Sequence, residues 1–182
     1  MCIRDRTLLI DLDPQGNAST GLGVEKAVRD RSSYDVLLGY ASVAQAAMQT
    51  VVPNLSLIPS TLDLLGVEME IASAAERAYR LRDALHEHSL TRSQFDFVLV
   101  DCPPSLNLLT INAMAAADSI LVPLQCEFFA LEGLSQLLET VEQVRDTLNP
   151  TLALHGIVLT MYDGRNNPVS YTHLTLPTIL LV

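Results

Sequence analysis

Five short apolar runs recur along the chain: Thr7–Leu12, Leu55–Pro59, Phe95–Val100, Ser119–Leu124 and Leu154–Met161. Each is rich in Leu, Ile and Val. Several lack the polar alternation of a half-exposed strand, as strands covered on both faces do. Longer segments with helical spacing lie between them. Ala74–His88 carries Ala, Leu and Arg at that spacing, and Leu106–Ala117 is rich in Ala and Leu. In Leu131–Leu148 the apolar positions Leu131, Leu134, Leu137, Leu138, Val141, Val144 and Leu148 form one helix face, with Glu and Gln mostly between them. Strands alternating with helices predict βαβ units: an α/β fold of three αβα layers around a mostly parallel sheet. No internal repeat or linker divides the chain.

Composition narrows the class. The chain has 182 residues, 49% hydrophobic and 18% charged, with a formal net charge of -10. That apolar content excludes a disordered tail. No apolar run reaches the length of a membrane span, and the start has no signal-peptide pattern. So acidic a chain is a poor general binder of nucleic-acid backbone. Cys2, Cys102 and Cys126 are an odd number without a C-x-x-C pair, which disfavours a disulfide or zinc framework and fits a reducing cytoplasm. His86 and His88, two apart, would point to different faces of a helix and make no metal pair. Ten of the 11 basic residues are Arg; the one Lys is Lys26.

In an open parallel sheet, ligands bind beyond the carboxyl ends of the strands, so the residues that follow the apolar runs carry the chemistry. The first run leads into Asp11-Leu12-Asp13-Pro14-Gln15-Gly16-Asn17. Asp11 and Asp13, two apart, share a strand face, and Pro14 and Gly16 turn the chain. Two carboxylates there suit a hard cation, or a cation and an oriented water. A capped turn, with Asp13 satisfying loop N–H groups, accounts for the pair equally well. The third run ends Val98-Leu99-Val100-Asp101, followed by Cys102-Pro103-Pro104-Ser105. Apolar residues followed by Asp make a Walker B pattern, whose carboxylate holds Mg²⁺ directly or through water; Ser105 is placed to cap the next helix. Asp13 and Asp101 both close parallel strands and so belong on one sheet edge. Arg77, Arg80 and Arg82 read as a solvated helix face sooner than a DNA contact.

Four blocks, Leu8–Glu25, Phe95–Asp118, Ile120–Val144 and Gly156–Asn167, together resemble the ParA/Soj chromosome- and plasmid-partitioning ATPases, of the deviant-Walker-A P-loop class. Pro103-Pro104 favours ParA/Soj over the related MinD, and Cys102 and Cys126 lack the glycine-rich settings of the nitrogenase iron protein's cluster ligands. The resemblance implies a P-loop NTPase-like fold, ATP and Mg²⁺. It makes Asp13 the switch aspartate that positions the attacking water, Asp11 its partner in the same switch, and Asp101 the Walker B ligand of Mg²⁺. Gly16 and Asn17 in that turn become candidates for nucleotide contact. Gln125, Cys126 and Glu127 match a further loop with no assigned role. It also implies an ATP-dependent homodimer, non-specific DNA binding, a ParB-type partner that stimulates hydrolysis, and a cytoplasmic, nucleoid-associated protein without a membrane anchor.

The sequence departs from that pattern in one large respect. The family's KGGVGKT-type phosphate loop, and the strand before it, are not among these residues. Lys26, in Val24-Glu25-Lys26-Ala27, has no glycine loop around it. The reading is therefore a truncated domain. Residues 7–167 form an incomplete ATPase core, and 1–6 and 168–182 fit it poorly, as extraneous extensions or as frayed termini. In the family the missing strand lies beside the Walker B strand. Its loss would open a one-strand slot in a sheet of about 4.8 Å periodicity, with unpaired backbone on both sides, which the apolar tail Leu174–Val182 is a candidate to fill. The expectation is a marginal or aggregation-prone chain that does not hydrolyse ATP alone. Two alternatives remain: a non-enzymatic interaction module on the same sheet, and a haloacid-dehalogenase-type phosphatase, which also begins apolar-Asp-Leu-Asp but needs a downstream lysine that this chain lacks.

Overall fold

The computed structural model describes residues 5–86, 94–125 and 130–161. Its contacts fall into two compact units, Met1–Ala116 and Ala117–Val182.

The first unit is built on a four-stranded sheet of order β2-β3-β1-β4. Strand β1 (Thr7–Asp11) is interior and pairs in parallel with β3 (Leu55–Ile58) on one side and β4 (Phe97–Asp101) on the other. The short β2 (Met48–Gln49) adds antiparallel to β3. The fold is thus mixed α/β with mostly parallel strands, as the alternation predicts. Leu8, Ile10 and Leu12 pack with Ile58, Leu64, Val67, Leu81, Leu109 and Ala113 in one core.

Short helices occupy ground on which the sequence pattern is silent: α1 (Asn17–Gly21), α2 (Ser33–Leu38), α3 (Val43–Ala46) and α4 (Val67–Glu70). Caps define two of them. Ser32 with Asp35, and Ser42 with Gln45, each form a reciprocal capping box.

Three expectations need correction. First, the helix predicted over Ala74–His88 is shorter in the described residues: α5 runs Arg80–His86, and 74–79 are turns. The cause is Asn112, fully buried on α6 (Leu108–Ala116). Its amide donates to the Arg77 carbonyl at 2.9 Å and its oxygen accepts from the Leu81 N–H at 3.3 Å. A continuous helix would pair those two backbone groups with each other; the side chain separates them instead. Second, α6 is capped by Asn107, whose Oδ1 accepts from Leu109 and Thr110 N–H, and not by Ser105. Third, β4 is not covered on both faces. It is an edge strand of its sheet, with Phe97 57% and Leu99 55% exposed.

The second unit has β5 (Ser119–Gln125) parallel to β6 (Ala153–Thr160), with a register shift at Ile120/Leu121, and the intervening helix α7 (Ala130–Thr147). Leu134, Val141 and Val144 of α7 are buried, and Leu137, Leu138 and Leu148 are half-buried. These positions belong to the apolar face that the three- and four-residue spacing predicts; the side chain of Leu131 lies outside the described residues. The Asn149 side-chain amide donates to the Ala117 carbonyl at 2.8 Å and ties the end of this unit back to its start. Cys126, Glu127, His88 and the segment 168–182, including Leu174–Val182, lie outside the described residues, as do residues 1–4 of the N-terminal extension. No described helix is long and apolar enough to cross a membrane.

Candidate functional site

The carboxyl edge of the β1–β4 pair gathers three acids. Asp11 and Asp101 are register partners that end neighbouring parallel strands, and the Leu12 N–H donates to the Asp101 carbonyl at 2.8 Å. Side chains in register on parallel neighbours lie on one sheet face. Asp13 follows two residues after Asp11, in the turn that Pro14 and Gly16 impose.

The three carboxylates have different environments. Asp11 is fully buried. Its Oδ2 accepts from Ser19 N–H at 2.8 Å and from Ser19 Oγ at 2.6 Å, and its Oδ1 accepts from Asp13 N–H at 3.1 Å. It therefore caps the first turn of α1 from across the loop, and its charge meets the positive end of that short helix. Asp13 is half-buried, and its Oδ1 accepts from Gln15 N–H at 2.9 Å. Among the described residues, that Asx turn leaves Oδ2 without a hydrogen-bond donor. Asp101 is exposed at the edge. Its carboxyl is held above the ordinary aspartate value, first by partial burial and then by repulsion from Asp11 and Asp13.

A second set of residues holds the Asp13 turn in place. Ser60, after β3, uses all three of its polar groups there. Its N–H donates to Ser19 Oγ at 3.1 Å, its hydroxyl donates to the Asp13 carbonyl, and its carbonyl accepts from Arg29 Nη1 at 2.9 Å. Arg29 is buried, and among the described residues no carboxylate pairs with it. It also donates to the Val24 carbonyl (2.8 Å from Nη2 and 3.3 Å from Nε) and to Thr20 Oγ1 (3.0 Å). Its guanidinium packs against Gly16, which has a φ of 66° and where a Cβ would collide with it. The Gly16 N–H donates to the Asp13 carbonyl at 2.9 Å, so it offers no free donor, and Asn17 lies exposed at the start of α1. The sequence gives no sign of Ser19, Arg29 or Ser60 as parts of this site, because each acts through a contact distant in sequence.

The acids can accept Mg²⁺ chemistry of one kind. No described group of three or more His, Cys, Asp or Glu is placed to enclose a metal, and Asp11 has spent both of its oxygens. Asp13 and Asp101 are left, with mutual repulsion that a cation would relieve. Mg²⁺ typically binds one or two carboxylates and takes its other ligands from water and phosphate, and two convergent acids fit that pattern. Burial, and then the Asp101 charge, push the Cys102 thiol up to about 12, which favours its protonated form. Lys26 is exposed in a short 3₁₀ turn, Lys26–Val28, away from any glycine loop. Arg77 and Arg80 donate to backbone carbonyls of Ala72, Leu37 and Leu38, and Arg82 lies over the Tyr79 ring beside Asp83.

Parallel strands with acids gathered at their carboxyl edge are shared by several α/β classes, the P-loop NTPases among them. The AAA-domain family model matches residues 3–154. The chromosome partitioning protein ParA of Caulobacter vibrioides is 58% identical over 163 residues, covering 90% of this chain and 61% of that protein. The sporulation initiation inhibitor protein Soj of Bacillus subtilis is 48% identical over 165 residues, covering 91% and 64%. The chain belongs to the ParA/Soj family of partitioning ATPases. It spans less than two thirds of the length of these relatives. Among solved structures, cobyrinic acid a,c-diamide synthase from Mycobacterium smegmatis, with bound ADP and magnesium, superposes with a TM-score of 0.83 at 40% identity, covering 89% of this chain and 64% of that one. An ATP complex of McdA from Cyanothece gives a TM-score of 0.78 at 25% identity, covering 86% and 59%. The phosphatase alternative finds no support in these relatives.

Proposed function

We propose that this chain is the switch and Walker B portion of a partitioning ATPase, which hydrolyses Mg-ATP to drive segregation of DNA cargo. The observation that carries the proposal is the register pairing of Asp11 with Asp101, which sets the Asp13 turn and the Walker B acid on one sheet edge. Asp13, with one carboxylate oxygen that no donor among the described residues reaches, orients the attacking water. Asp101 and Asp13 would hold Mg²⁺, which, when bound, neutralises phosphate charge as it develops. Asp11 is a positioning residue: it fixes Ser19 and the Asp13 N–H, and so fixes the turn. ATP-dependent homodimerisation, non-specific DNA binding, a ParB-type partner and a nucleoid-associated place in the cytoplasm belong to the same proposal, by likeness to ParA and Soj.

A second reading is a non-enzymatic interaction module. The two readings separate in a protein that carries this sequence together with a phosphate loop. There, Asp13→Ala should lower ATP turnover by about 10²-fold or more while ATP-dependent dimerisation persists. Turnover that survives Asp13→Ala removes Asp13 from its role, and an intact protein without ATP binding favours the module.

A further inference from the structure

The turn that carries Asp13 is gripped at both ends by one buried cation. The turn closes locally, with Gly16 N–H on the Asp13 carbonyl at 2.9 Å. From outside, the Ser60 hydroxyl donates to that same Asp13 carbonyl, and the Thr20 hydroxyl donates to the Gly16 carbonyl at 2.9 Å. Arg29 joins the two routes: its Nη1 donates to the Ser60 carbonyl at 2.9 Å and its Nη2 to Thr20 Oγ1 at 3.0 Å. Parallel pairing of β1 with β3, Ile10 opposite Ile58, brings Ser60 alongside the turn. The Asp13 carbonyl already has a donor in Gly16, so the Ser60 hydroxyl adds position and not polar satisfaction. Ser60 is fully buried and Arg29 only 8% exposed. A buried guanidinium on neutral acceptors is costly to desolvate. What it returns is a rigid planar fork that fixes several acceptors relative to one another.

We propose that Arg29 and Ser60 are positioning residues for Asp13. Arg29 fixes Ser60 and Thr20, these fix the Asp13 and Gly16 carbonyls, and the Asp13 carboxylate is thereby held steady at the sheet edge it shares with Asp101. Among the described residues the bonds of both side chains go to carbonyls and a hydroxyl, so they act on the acid through the main chain. The proposal rests on the reading of Asp13 as the residue that orients water. A catalytic group displaced by about 1 Å loses about 10²-fold in rate, while binding that does not involve it is spared. Loss of either grip should therefore act on turnover and leave nucleotide affinity in place.

Two measurements test it, one of them independent of hydrolysis. Ser60→Ala removes only the hydroxyl and keeps the Ser60 backbone groups that bond Ser19 and Arg29. In amide hydrogen exchange of the 182-residue chain it should speed exchange of the Gly16 N–H about tenfold, with the Ile10 amide of β1 unchanged. Unchanged Gly16 exchange, or equal acceleration at Ile10, overturns the proposal. In a protein that carries this sequence together with a phosphate loop, Ser60→Ala should lower kcat about tenfold or more, with KM for ATP within about twofold. Ser60→Thr, which keeps the hydroxyl, should restore most of the rate. Arg29→Lys keeps the charge without the fork and should lose rate as Ser60→Ala does; if Ser60→Ala does not fold, Arg29→Lys decides by the same two readouts. Asp13→Ala in the same assay separates the two levels of the argument. Turnover lost in Asp13→Ala but kept in both Ser60→Ala and Arg29→Lys overturns the positioning role alone. Turnover kept in Asp13→Ala overturns the reading of Asp13 and this proposal with it.

Discussion

Asp11 and Asp101 face each other in register across β1 and β4, yet their circumstances are opposite. Asp11 is fully buried with both oxygens satisfied by Ser19 and Asp13; Asp101 is exposed, and its carboxyl is raised by burial and by its acidic neighbours. A carboxyl raised in the folded state binds protons more readily there than in the unfolded chain. Its charge therefore costs stability as pH rises above the ordinary value near 3.8, and that cost is relieved as pH falls back through the raised value. Urea midpoints of the wild-type chain should accordingly decline with rising pH across that window more than those of Asp101→Asn. At neutral pH the Asn variant should be the more stable. Parallel pH profiles for the two proteins would refute this.

The two acids of the Asp-Leu-Asp turn should separate cleanly under mutation. Asp11→Ala strands the buried Ser19 N–H and the part-buried Asp13 N–H, at about 1–3 kcal/mol each, and should lower unfolding free energy by about 2 kcal/mol or more. Asp13→Ala removes one Asx-turn bond at a half-buried position and should cost about 1 kcal/mol or less. Chemical denaturation measures both. Equal losses would mean that Asp11 is not the structural member of the pair.

This contrast shows how far the sequence could be read. The apolar runs locate β1, β3, β4, β5 and β6 to within a residue or two, because buried strands impose their composition directly. The spacing of Asp11 and Asp13 with Asp101 also places the acids on one edge correctly. What the sequence conceals is which acid is consumed internally. That depends on Ser19 and Ser60 arriving from other elements, and a serine's hydrogen-bond partner leaves no periodic trace. Arg29 is hidden for a related reason: a lone Arg in a polar stretch reads as solvated, and only the fold supplies four neutral acceptor contacts to bury it. The N-terminal part of the predicted 74–88 helix was lost to Asn112 in the same way, through one side chain from a distant helix.

Gly16 should tolerate no side chain while Arg29 lies beneath it. Gly16→Ala places a Cβ at positive φ and against the guanidinium. The expected loss is about 2 kcal/mol or more, part of it the left-handed backbone cost of 1–2 kcal/mol typical of L-residues. In an Arg29→Ala background the collision is gone and only the backbone cost remains. A double-mutant cycle should therefore show coupling of at least about 0.5 kcal/mol. Additive effects would mean that Arg29 moves aside freely.

Among the described residues nothing pairs with the outer side of β4, whose Phe97, Val98 and Leu99 are exposed and which contains no Lys or Pro. An unprotected apolar edge is a template for another strand, and natural edges are commonly blunted by a single charge. Leu99→Lys should therefore raise the concentration at which the chain stays monomeric, as measured by light scattering. Its 55% exposure means that little burial is lost, so the cost to unfolding free energy should stay below about 1 kcal/mol. If the β4 edge drives association, Leu99→Lys suppresses it; if scattering is unchanged by Leu99→Lys, the edge is not the source.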